Sequence, residues 1–219
     1  MKSLVTSLVT VSIVIFAICA GPVEATVLRL SDHCSEDESR PYLAEYLDAE
    51  LNFSVVGNTL TLSVTNLTPE NEGDPAFKIN RIYFNIADKV EGLTLSDILA
   101  SEPSSADGWR LGLLEDGFLV GGFGWFDVSL KGGQGSHGPV VEAGQTVSFA
   151  FQISGAGPFV DSDFITLSSP QGEHIVSYAA AKFYNDCTSA YGATNVPEPA
   201  SVVILGLSGI FLAFRRRRQ

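Results

Sequence analysis

The stretch ELNFSVVGNTLTLSVTNLT, residues 50–68, decides the fold class. Leu51, Phe53 and Val55 alternate with other residues, and Leu60, Leu62 and Val64 repeat the pattern after Gly57-Asn58. In an extended chain successive side chains point to opposite sides, so each triplet lines one face of a strand. A Gly-Asn pair between two such runs signals a tight hairpin, because glycine accepts the positive φ that the turn demands. One hairpin cannot bury its own apolar face, so further strands must follow.

Downstream the same period recurs. KINRIYFNIA (78–87) places Ile82, Phe84 and Ile86 on one face, and QTVSFAFQI (145–153) does so with Val147, Phe149, Phe151 and Ile153. WRLGLLEDGFLVGG (109–122) carries a second tight turn at Asp116-Gly117, GWFDVSL (124–130) reads as a strand, and EHIVSYAAAKFY (173–184) as a closing strand. Short strands punctuated by Gly, Pro, Asn and Ser predict an all-β body, an antiparallel β-sandwich. Two helical turns are expected. One lies in PYLAEYLDAEL (41–51), the other in TLSDILAS (94–101) with Thr94 or Ser96 as its cap. SDHCSEDESR (31–40) is polar and reads as an exposed loop.

The two ends are of a different kind. The chain starts MKSLVTSLVTVSIVIFAICAGPVEA, with Lys2, an apolar run from Leu4 to Ala20, and Val23 and Ala25 at the −3 and −1 positions of a cut after Ala25. That order predicts a secretory signal peptide over residues 1–25. Ile18 before Cys19 lacks the small side chain that lipidation would need. At the other end NVPEPASVVILGLSGIFLAFRRRRQ has Val196-Pro197-Glu198-Pro199, an apolar run from Ala200 to Phe214, and Arg215, Arg216, Arg217 and Arg218. Fifteen helical residues rise about 22 Å, short of a bilayer core unless the flanks reach the interfaces. A transmembrane helix with its arginines in the cytoplasm obeys the positive-inside tendency.

This layout resembles the PEP-CTERM sorting signal of Gram-negative bacteria. The resemblance implies that Pro197, Glu198 and Pro199 are recognised by an exosortase, a membrane-embedded processing enzyme, and that Arg215 to Arg218 hold the substrate in the membrane until the tail at 196–219 is removed. It implies a protein exported through the Sec machinery, anchored transiently in the inner membrane, then carried to the cell surface or beyond. β-rich bodies are often found ahead of this signal.

The body between the ends, residues 26–195, is a single domain of about 170 residues. Without Lys2, Glu24, Glu198 and the terminal arginines it keeps 8 Lys and Arg against 23 Asp and Glu, a net charge near −15. A surface that acidic repels nucleic acid and anionic membrane alike, and no nucleic-acid partner is expected. Cys34 and Cys187 remain in an oxidising compartment and are expected to pair as a disulfide closing a loop worth about 4 to 5 kcal/mol.

Chemistry is sparse. GGQGSHGP (132–139) satisfies a dinucleotide-binding spacing through Gly133, Gly135 and Gly138, but VVEAGQTV follows where a helix is required. His33, His137 and His174 lack metal-ligand spacing, so no metal or cofactor is expected. The acidic groups Glu36-Asp37-Glu38, Glu70-Glu72-Asp74 and Asp161-Asp163 offer oxygen ligands for calcium without the ordered spacing of a calcium loop, and read as solvated loops. No GxSxG elbow occurs. Trp109, Trp125 and Phe126 offer a sugar-stacking platform, against a core position expected for Trp125. The expectation is a non-enzymatic surface or extracellular-matrix protein. The alternative is a carbohydrate-binding module or carbohydrate-active enzyme exported by the same route, with extracellular polysaccharide as partner.

Overall fold

The computed structural model describes residues 25–35, 46–69, 76–100, 108–133, 138–170, 175–185 and 188–194, with the backbone alone over 31–35. These residues form ten strands: β1 (Thr26–Ser35), β2 (Ala49–Val56), β3 (Thr59–Asn66), β4 (Lys78–Phe84), β5 (Val90–Ala100), β6 (Arg110–Val120), β7 (Gly124–Lys131), β8 (Thr146–Gly155), β9 (Ala179–Tyr184) and β10 (Ser189–Thr194). All pairings are antiparallel and join one sheet in the order β5-β8-β3-β2-β1-β10-β9-β4-β7-β6. The all-β, antiparallel expectation therefore holds. In place of two stacked sheets, a single sheet curls until its edge strands β5 and β6 approach each other, giving a nearly closed barrel. Curling by strand twist lets one sheet bury its own inner face.

The opening hairpin forms as its pattern requires. β2 and β3 pair from Ala49↔Asn66 to Val56↔Thr59 without a break, and Gly57 has φ 61°, fit for the first position of a two-residue turn. Leu51, Phe53, Leu60, Leu62 and Val64 point inward, as do Phe149 and Phe151 of β8. Ser63 and Ser148, 2.7 Å apart, and Thr65 and Thr146, 2.9 Å apart, bond across the outer face. Aromatic rings fill the interior: Phe53 meets Phe84 edge-on at 5.5 Å, and Trp109 meets Phe149 at 5.0 Å. A smaller apolar cluster of Tyr83, Val120, Phe123, Phe126, Ala180, Tyr191 and Ala193 covers the outer face.

Four expectations need correction. TLSDILAS is not a helix but the second half of β5, paired with β8. A bulge between Leu95 and Asp97 resets the alternation, so Leu95 and Ile98, three residues apart, both pack on the core and imitate a helical period. Asp116-Gly117 is no hairpin turn: β6 continues past it, with four residues, 114–117, opposite the single Asp127 of β7. Residues 31–35 extend β1 along β10, so the first part of the polar stretch is strand backbone. Trp125, expected in the core, is half-buried, and it is Trp109, whose place the sequence left open, that lies in the core at 5% exposed. Of the expected helix over 41–51, residues 41–45 lie outside the described residues, and Ala49–Leu51 are strand. Among the described residues no helix is long and apolar enough to cross a membrane.

Candidate functional site

Two features of one end of the barrel can carry function: a cleft at the β5–β6 seam, and the exit of β10. The cleft follows from the β6 bulge. Asp116 takes a positive φ of 45°, which Asp tolerates better than most residues, and the chain swings outward over 114–117. Asp127 fastens the swing. One carboxylate oxygen accepts the Asp116 N–H at 3.0 Å and the other accepts the Ile86 N–H at 3.2 Å. Its own N–H donates to the Asn85 side chain at 2.8 Å. Phe126 packs on Tyr83 outside, whereas Val128 belongs to the inner core, so the alternation of β7 is interrupted at Asp127.

The resulting concavity of about 470 Å³ is lined by Ile86, Asp88, Val90, Glu91, Leu113, Leu114, Glu115 and Asp127. Its charged groups are carboxylates throughout, with no cation, hydroxyl nucleophile or imidazole among them. Asp127 is occupied by two backbone donors. Among the described residues no group of three or more His, Cys, Asp or Glu side chains is placed to hold a metal. Asp161 and Asp163 are likewise engaged: Asp161 accepts the Val55 N–H at 2.6 Å, and Asp163 accepts the Val160 N–H at 2.8 Å while pairing with Lys89 at 2.8 Å. No helix follows Gly138 before β8, which leaves the glycine-rich segment without a dinucleotide site. With Trp109 sealed against Phe149, the three aromatics form no shared stacking platform.

At the exit of β10 the last strand residue, Thr194, is 2% exposed. Its hydroxyl oxygen accepts the N–H of Tyr178 at 2.9 Å and of Ala179 at 3.3 Å, clamping the strand end to the start of β9. Thr194, the last described residue, is thus fixed in the sheet directly before Asn195. Residues 195–218 match the family model described as the PEP-CTERM protein-sorting motif. The chain ends in a PEP-CTERM sorting signal. Such a signal implies export and membrane-associated processing with an exosortase as partner. No curated protein and no solved structure matches the chain.

Pro197, Glu198, Pro199 and Arg215 to Arg218 all fall inside the matched segment and lie outside the described residues. The proposed signal peptide over 1–25 does too, save Ala25. The expected Cys34–Cys187 disulfide cannot be followed, because Cys187 lies outside the described residues and Cys34 is placed by backbone alone, opposite Tyr191. His33 stands likewise opposite Gly192, and His137 and His174 lie outside the described residues, as do the acidic groups at 36–38 and 70–74. Sequence reasoning missed Asp127 and Thr194. A lone Asp within GWFDVSL, on a strand whose neighbours are apolar, was the available signal for the first.

Proposed function

We propose that this protein is an exported, non-enzymatic surface or extracellular-matrix component, synthesised with a signal peptide over 1–25, translocated by the Sec machinery, and held by a transmembrane helix over 200–214 until an exosortase cuts near Pro197-Glu198-Pro199. The observation that carries the reading is the match at 195–218 directly behind the last strand residue. The other boundary supports it, since β1 opens at Thr26, the first residue after the expected signal-peptide cut. The charged groups of the seam cleft are carboxylates alone, and paired carboxylates are what the alternative reading, a carbohydrate-active enzyme exported by the same route, would use. A disulfide between Cys34 and Cys187 belongs to the same reading. The β1–β10 ladder runs to Ser35↔Ala190, three residues after Cys187 in the chain. Non-reducing peptide mapping should return one linked Cys34–Cys187 pair, and free alkylation of both thiols would remove it.

The sorting claim is tested by Glu198→Ala in the full chain. Two prolines keep the tripeptide extended, the shape a protease grips, and Glu198 supplies the charge between them. The variant should be exported normally and accumulate in the membrane fraction with its tail intact. Maturation at the wild-type rate would show that the segment is not read through its Pro-Glu-Pro.

A further inference from the structure

Every connection of the antiparallel sheet returns the chain to one of two ends, and the ends differ. β1 starts, and β2, β4, β6, β8 and β10 finish, at the same end. Leu30 pairs with Thr194, so Thr26 lies only four residues, roughly 13 Å, beyond the β10 exit along the neighbouring strand. Both terminal apolar segments therefore attach to one rim. From Thr194 to Ala200 there are six residues, which reach at most about 20 Å when fully extended. A body so tethered stays within about 20 Å of a bilayer that holds residues 200–214.

Side chains at this rim agree with that position. Val27, Val56, Val160, Leu167 and Ile175 are large apolar residues left 46% or more exposed, against Tyr46, Leu67 and Leu99 toward the other end. Val56 closes β2; Val160 lies beside it through the Asp161 bond to Val55; Ile175 is joined to Gly122 in the β6–β7 turn. The connections made at the opposite end are acidic in sequence. These five, residues 36–48, 67–77, 101–109, 132–145 and 185–188, hold twelve Asp and Glu against one Arg. The connections of the terminal rim, 57–58, 85–89, 121–123 and 156–178, hold four against one Lys. In sequence, the connections made at the opposite end are the more anionic set, which an anionic membrane repels more strongly.

We infer that the rim carrying both chain termini is a membrane-apposed face: while the C-terminal segment is inserted, this end of the barrel rests on the lipid headgroups and the acidic end projects outward. The inference rests on the anchoring reading above.

Full-length protein is reconstituted in vesicles of phosphatidylethanolamine and phosphatidylglycerol, with a photoreactive benzoylphenylalanine at one exposed position per sample: Val56, Val160 or Ile175 at the rim, Leu67 or Leu99 at the far end. Flotation and lipid adducts are measured together. The three rim positions should give adducts at least about fivefold above the two distal ones, reflecting the raised local concentration that a short tether imposes. Protein that floats but labels equally at both ends, or more strongly at Leu67 and Leu99, overturns the orientation and leaves anchoring intact. Protein that does not float overturns the anchoring reading and the orientation with it.

Discussion

The β2–β3–β8 ladder and the β4–β7–β6 ladder lie in the same sheet and differ in continuity. The first pairs fifteen residue positions in unbroken register, and every second side chain enters the core. The second is unbroken over the four pairs of β4 with β7 but shifted in β6 between Leu113 and Phe118, and β4 is shifted again on its other side, against β9, between Ile79 and Arg81. An unbroken ladder converts alternation directly into packing. Each break turns a side chain away from its expected face, and at Asp127 the break opens the seam cleft. Continuity makes the core here, and discontinuity makes the surface features.

The comparison breaks first where the continuous ladder is cut. Phe149 is fully buried and touches Trp109 and Phe151 edge-on and stacked. Phe149→Ala should cost about 3 to 5 kcal/mol, read as a lower urea midpoint at constant slope. That is a large share of the roughly 5 to 15 kcal/mol typical of a whole domain. On the discontinuous side Asp127→Ala strips the acceptor from the Ile86 and Asp116 N–H groups, and a loss of about 1 to 3 kcal/mol is expected. Its signature is local: hydrogen exchange should quicken at those two amides before β3 responds. If Asp127→Ala instead matches Phe149→Ala in cost and opens β3 equally, the two ladders form one cooperative unit and the contrast is void. The smallest effect belongs to Glu142→Gln, which breaks a pair with Lys78 at 3.0 Å between side chains 38% and 39% exposed. A change under about 1 kcal/mol, fading with added salt, is expected from the same urea titrations.

What the sequence showed follows the same division. Residues 50–68 and 145–153 were legible because their alternation is uninterrupted and their burial matches it position by position. In β5 the bulge inserted a helical interval between Leu95 and Ile98, and in β6 an Asp-Gly pair carrying hairpin chemistry served a bulge instead. β10 was missed for a packing reason. Its sequence SAYGAT contains little apolar bulk, yet all but its first residue are buried. A Cβ placed on Gly192 would stand 2.9 Å from the Phe183 ring, so the neighbouring strand has already filled the space. Small residues here signal a crowded interior, and a single sequence does not distinguish that from a loop. The sorting signal was legible by its order alone, without any reference to fold.

The position of β10 also governs the time at which the protein can exist as a folded object. Among the described residues it is the strand that joins β5-β8-β3-β2-β1 to β9-β4-β7-β6 in the hydrogen-bonded order, and the paired Leu30 and Thr194 are 164 positions apart. A chain threaded across a membrane from its N-terminus delivers β1 first and β10 last. Until residue 194 emerges, the centre of the sheet has an empty place, and such long-range closure is slow to nucleate. In a chain delivered in that order the sheet can close only once residue 194 has emerged, and the residues that follow it at once are those of the sorting motif, 195–218.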